Sequence, residues 1–340
     1  MANPPVIPPL KEAGSPRPFW SVMIPTYNPR SNFLEETLTS VLQQDPGPDQ
    51  MQIEVVDDGS NDDTASEVTR RVGAGRVIFH HESENQGLAN SWNRCVERAR
   101  GDWVHILHQD DIVLPGFYDV LRGGAERSHA GAIFCRHATA NSKGHWIQLS
   151  ELHRESAGLL EDWHARITVQ QLVQCPAIAV RRLIYEQLGG FLPQLHYTPD
   201  WEMWQRIASQ FSFWFEPSIV ACYRAHPNSA TSRMRLDAAD VREVRELINL
   251  TTAYHSPARG RVLARKARSF YAGLAVLYAR DMLVEGEFRP AWKQVVEALR
   301  LCRSRRIIWQ ISSYFVLWLR IIASRLKRRM KSKSNVPSHT

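Results

Sequence analysis

No two cysteines in this sequence stand as CxxC, and the five that occur, Cys95, Cys135, Cys175, Cys222 and Cys302, are odd in number and widely spaced. That excludes a disulfide framework and a thiolate zinc site, and it fits a reducing cytoplasm. Glycine is missing from Trp20 to Arg30, so no GxGxxG follows the first strand-like run, and no P-loop motif occurs anywhere. Dehydrogenase and P-loop chemistry are thereby excluded. The opening MANPPVIPPLKEAGSPRPFW has no apolar stretch behind a basic start, so residues 1–18 read as a flexible, proline-rich leader rather than a signal peptide. Long hydrophobic runs are absent as well: the longest near the end, within 307–319, is about a dozen residues, where a span needs about twenty.

Acidic residues are missing from Arg300 onward, a stretch that holds eleven Lys and Arg; removing those eleven from the net charge of +7 leaves the rest at −4. The excess positive charge is therefore a property of the tail. It excludes a nucleic-acid-binding body and suits an anionic membrane surface, with Trp and Tyr of 307–319 at the boundary.

What is present begins with alternation. WSVMI (20–24), IEVV (53–56), VIFH (77–80) and WVHIL (103–107) are strand-length and rich in β-branched and aromatic residues. Between them, Leu34, Leu38, Val41 and Leu42 recur at helical spacing, as do Leu88, Trp92, Cys95, Val96 and Ala99, with Gly101 as the expected C-cap. Such βαβ alternation predicts a mostly parallel sheet here, with ligands at the carboxyl ends of its strands. Further on, AIFCRHATA and HWIQL flank Asn141–Gly144 as a hairpin, a helix carries Trp201, Trp204 and Ile207, and the chain beyond Leu236 is helical in pattern.

Acidic residues follow strand-like runs directly. Asp57 and Asp58 end the second run, Asp110 and Asp111 follow the fourth, and Asp200 with Glu202 opens the helix after Gly189 and Gly190. Paired carboxylates at a strand end are costly unless a cation or a hydroxyl-rich ligand sits between them. Oxygen donors suit Mg²⁺ or Mn²⁺, which fill their shells with substrate phosphates. Each cluster also has a plainer role as a turn or a helix cap.

In order and spacing these segments resemble the inverting glycosyltransferases of family 2, over roughly Trp20 to Thr231, about two thirds of the chain. The resemblance implies an α/β fold of the GT-A type, a mixed sheet flanked by helices, over 19–235, followed by a helical extension over 236–305 and a basic amphipathic membrane-associating tail over 306–340. It places Pro25, Thr26 and Tyr27 of SVMIPTYNP against a nucleotide base, with Asp58 accepting from the base and Asp57 supporting the turn. Asn85, Gly87 and Asn93 of NQGLANSWN would lie under the donor. In LHQDD, Asp111 would bind the metal and Asp110 the ribose or the metal's shell; His108 stands where many members carry Asp. His226, near Arg224 in YRAH, would complete the metal shell or touch the diphosphate. Asp200 would be the general base, and Pro199 stands where Glu is usual.

The implied activity is transfer of a sugar from a nucleotide-diphosphate donor, a UDP-sugar, to a saccharide or lipid-linked acceptor with inversion. Mn²⁺ or Mg²⁺ would be the cofactor, and the setting would be bacterial surface polysaccharide synthesis at the inner face of the plasma membrane. His108 and Pro199 also fit a rival expectation, an inactive nucleotide- or sugar-binding module.

Overall fold

Two seven-residue strands, β1 (Trp20–Thr26) and β2 (Met51–Asp57), are buried at every position, as continuous apolar runs must be when helices cover both faces of a sheet. The computed structural model describes residues 3–10, 16–226 and 230–314. Its other strands are β3 (Ile78–His81), β4 (Trp103–Ile106), β5 (Ile112–Val113), β6 (Ala132–Ala140), β7 (Trp146–Leu149), β8 (Gly158–Leu159), β9 (Ile178–Arg181) and β10 (Phe213–Arg224). The helices are α1 (Ser31–Leu42), α2 (Thr64–Gly73), α3 (Leu88–Arg98), α4 (Phe117–Arg127), α5 (Trp163–Val169), α6 (Arg182–Leu188), α7 (Pro199–Ala208), α8 (Ala230–Leu236), α9 (Ala239–Thr251), α10 (Pro257–Glu285) and α11 (Phe288–Leu301).

The sheet runs β3-β2-β1-β4-β9-β6-β10-β5, with β7 on β6 and β8 on β10. Its first half is parallel, as the alternation predicts. The second half is mixed, because β9 inserts antiparallel between β4 and β6 while β6 and β10 run parallel. The β6–β7 hairpin forms at Asn141–Gly144, where Gly144 takes a positive φ.

Alternate residues of β1 face opposite sides. Val22 and Ile24 join α1, α2 and α4 through Leu34, Leu38, Val68 and Phe117; Met23 joins α3 and α7 through Trp92, Cys95, Trp201 and Trp204. The second cluster also takes in Val244, Leu247, Ala267 and Val276. Helices α9 and α10 therefore share one core with the sheet.

Three expectations are corrected. The leader is seated over residues 3–10: Ile7 is 1% exposed, and its neighbours Pro5 and Pro8 accept bonds from Gly190 N (2.8 Å) and the Arg182 guanidinium (3.3 Å). Gly101 is no cap, because α3 ends at Arg98 with Ala99 extended. A Cβ at residue 101 would lie 2.5 Å from the Trp20 carbonyl carbon, so this position needs glycine for close backbone approach. Gly101→Ala is expected to cost about 1–3 kcal/mol of stability by overpacking, read as a lower urea midpoint at unchanged slope. The tail's start belongs to the core: residues 305–314 are helical, and Ile307 is buried with residues of α10 while Trp309 is 70% exposed. The tail beyond 314 lies outside the described residues. Among the described residues no helix is long and apolar enough to cross a membrane.

Candidate active site

The carboxyl ends of β1, β2 and β4 meet on one edge of the parallel half-sheet. Pro25 and Thr26 are buried in β1, and Tyr27, 42% exposed, emerges from it. The Gln109 carboxamide grips the Tyr27 backbone in both directions, accepting from N at 2.8 Å and donating to O at 3.3 Å. It ties the first turn to the loop after β4.

Asp57 has its oxygens filled by protein. The Thr26 hydroxyl donates at 3.0 Å and the Ser60 hydroxyl at 2.5 Å to one; Ser60 N (3.1 Å) and His81 Nδ1 (2.8 Å) bond the other. This carboxylate therefore supports the turn. Asp58 beside it receives Gln86 N at 2.9 Å and Gly87 N at 3.0 Å; burial pushes its carboxyl up while those amides oppose the shift. Gly59, at φ +70°, lets this turn pass beneath residues 84 and 85, where a Cβ would meet Asn85 N at 2.7 Å. Asn85 closes the loop by donating to Asp58 O at 3.2 Å.

Asn93 is placed differently. Its carboxamide is spent on Phe191, accepting from N at 2.7 Å and donating to O at 2.9 Å. With Pro5, Asp58, Gln86 and Asn90 it lines a cavity of about 400 Å³.

After β4 the chain turns tightly, with Asp111 N bonded to His108 O at 3.1 Å. Ligand atoms of His108, Asp110 and Asp111 all fall within 4.8 Å of one another. Asp111 is fully buried, and its Oδ1 accepts from Arg224 N on β10 at 2.8 Å. Its Oδ2 has no hydrogen-bond partner. Burial pushes its carboxyl up to about 6, against the pull of neighbouring His108. A buried carboxylate with one empty oxygen fits a divalent cation, which would replace the lost hydration. His226 lies behind this group, its Nε2 on Asp110 Oδ2 at 2.8 Å and its Nδ1 buried without a partner. In this arrangement it orients Asp110.

Asp200 stands on the first turn of α7 and is half-buried. Pro199 occupies a first-turn position, where proline is compatible with a helix, so the missing Glu does not disturb the element. Gln171 Nε2 donates to Asp200 Oδ2 at 2.6 Å, and Trp201 N to Oδ1 at 2.7 Å. Burial raises its carboxyl to about 6, with these bonds and His108 drawing it down. The other acids nearby are occupied. Glu202 holds Arg206 at 2.7 and 3.0 Å and accepts from the Tyr254 hydroxyl at 2.5 Å; Glu216 accepts from Trp214 Nε1 at 2.7 Å.

Two residues that the sequence did not signal complete the site. Buried Glu243 of α9 accepts from N of His196, Tyr197 and Thr198 at 2.7–2.9 Å, just before Asp200. Gln171 is held by its own N–H on the Tyr271 hydroxyl of α10 at 3.0 Å. The helical extension thus braces the loop that carries Asp200.

Against known proteins, residues 21–189 match the model described as "Glycosyl transferase family 2". The chain is 28% identical over 229 residues to an uncharacterized protein of Mycobacterium tuberculosis, covering 64% of this chain and 70% of that one. It is 22% identical over 217 residues to an uncharacterized glycosyltransferase of Rickettsia typhi, covering 63% and 66%. About a third of each relative's length is thus left unmatched. Among solved structures, S. aureus TarS 1-349 superposes with a TM-score of 0.61 at 15% identity over 86% of this chain and 83% of that chain. The mannosyltransferase PcManGT from Pyrobaculum calidifontis, in complex with GDP-Man and Mn²⁺, superposes at 0.54 with 21% identity over 92% and 84%. These structures share the GT-A fold.

Proposed function

The chain belongs to glycosyl transferase family 2, and from that premise we propose that it transfers a sugar from a UDP-sugar to a saccharide or lipid-linked acceptor with inversion at the anomeric carbon. The observation that carries this reading is the buried Asp111 Oδ2, left without a hydrogen bond beside His108 and Asp110, with Asp200 close enough to His108 to feel its charge.

In this reading Tyr27 and Asp58 receive the base, Asn85 and Gly87 keep the Asp58 loop in place beneath the donor, and Asn93 holds α3 to residue 191. Asp111 and Asp110, steadied by Arg224 N and His226, would hold Mn²⁺ or Mg²⁺. A divalent cation bound there would supply positive charge to the departing diphosphate. Asp200 accepts the proton of the acceptor hydroxyl as the new bond forms on the face opposite the leaving group. TarS has been solved with UDP-GlcNAc and with UDP, and PcManGT with GDP-Man and Mn²⁺; these complexes support a nucleotide-sugar donor and a metal. The basic tail and exposed Trp309 support work at the inner face of a bacterial plasma membrane, on a surface polysaccharide.

A base must be ionised to act. With the Asp200 carboxyl at about 6, kcat/KM is expected to fall roughly tenfold per unit as pH drops below about 6 and to level off above it, because this profile reports the free enzyme. A profile flat down to pH 4.5 removes Asp200 from the role.

A further inference from the structure

We propose that His108 is itself a ligand of the cation, so that this site has a mixed nitrogen and oxygen shell and takes Mn²⁺ or Co²⁺ in preference to Mg²⁺. The inference rests on the metal-dependent reading above and goes further by assigning a residue that the sequence presents as a lost carboxylate.

The distances favour one shared ion over a simple ion pair. His108 Nδ1 lies 3.5 Å from Asp111 Oδ2, beyond the usual hydrogen-bond length of about 2.7–3.2 Å. Neighbouring ligands of an octahedral ion at about 2.1 Å stand about 3 Å apart. The whole group, His108, Asp110 and Asp111, fits within 4.8 Å, a span that one ion can bridge.

The surroundings fix each donor. The Trp92 ring stacks on His108 with centroids 5.0 Å apart and planes at 19°, which keeps the imidazole from turning aside. Arg224 N engages Asp111 Oδ1 and leaves Oδ2 buried without a hydrogen bond. His226 bonds Asp110 Oδ2, an outer partner of the sort that orients a ligating carboxylate. Three donors from one tight turn are thus aimed together, and each is supported from behind by a different element: α3, β10, and the segment after β10.

Ligand chemistry then sets the choice of ion. Mg²⁺ favours shells made wholly of oxygen, whereas an imidazole nitrogen adds affinity for first-row transition ions, in an order that rises from Mn²⁺ to Co²⁺ and beyond. Replacing the nitrogen by a carboxylate weakens that bias.

The test uses the purified full chain with Mn²⁺ alone and then with UDP present, read by pulsed EPR, with Asp111→Asn as the blank. Nitrogen-14 modulation on bound Mn²⁺, present in the wild type and lost in His108→Asp, is the expected result. Calorimetry should show the Mg²⁺ to Mn²⁺ ratio of dissociation constants falling on the order of tenfold in His108→Asp. Mn²⁺ bound with no nitrogen coupling, or an unchanged ratio, overturns the assignment of His108 and leaves the metal-dependent reading standing. Failure of any divalent ion to bind, with or without UDP, overturns both.

Discussion

Asp200→Asn is expected to lose sugar transfer by about a hundred- to ten-thousand-fold, the usual effect of removing a general base, while its affinity for donor and metal stays at the wild-type value. The surroundings allow a clean substitution. Asn retains an oxygen for Trp201 N, and the Gln171 carboxamide, whose Oε1 is buried without a partner, can turn to accept the new N–H. A sugar hydroxyl needs an acceptor for its proton as the bond forms, and Glu202 and Glu216 are held by Arg206, Tyr254, Trp214 and Arg127. Transfer measured beside donor affinity decides the point. Turnover near the wild-type value in the Asn variant would hand the role to a water or another group.

Asp111→Asn should weaken Mn²⁺-dependent binding of a nucleoside diphosphate by at least about a hundredfold, because the ion's charge on the diphosphate is worth several kcal/mol. Asn keeps an oxygen for Arg224 N, so the loop retains its anchor. The metal-free stability of this variant should move the other way. The wild-type carboxyl sits at about 6 when folded, against about 3.9 when unfolded. Its contribution is therefore fully present below pH 4 and lost as pH rises through about 6. At pH 8 without metal, Asp111→Asn is expected to melt at or above the wild-type temperature, and Mn²⁺ should stabilise the wild type alone. Equal calorimetric binding by both proteins would remove Asp111 from the donor site.

Much of this site was visible in the residues because its carboxylates sit at the ends of periodic segments. Asp58, Asp111 and Asp200 each follow a run whose apolar spacing announces a strand or opens a helix, so position along the chain stood in for position in space. The parts that escaped depend on contacts between distant segments. Glu243 lies in a helix whose pattern reads only as packing, yet its carboxylate caps the backbone of residues 196–198. Gln171 sits in an unremarkable pair of glutamines, and nothing local says that it meets Asp200. Ile7 lies in a proline-rich stretch that looks free, but its side chain fills the core beneath Gly190. The antiparallel β9 was lost for the same reason: its four residues carry no sign of which neighbours they pair with. His108 was visible as a histidine at a carboxylate's place, but its stacking on Trp92 and its approach to Asp111 depend on the fold.

We propose, above all, that this chain breaks a nucleotide-sugar bond at a metal-assisted site formed by the ends of β4 and β10. The direct test is release of nucleoside diphosphate by the purified full chain from a panel of nucleotide sugars, with Mn²⁺ and with EDTA. Release from at least one UDP-sugar with Mn²⁺, abolished by EDTA and by Asp111→Asn, is the expected result. No release from any donor, together with no binding of any nucleoside diphosphate in the presence of Mn²⁺, Co²⁺ or Mg²⁺, would contradict it.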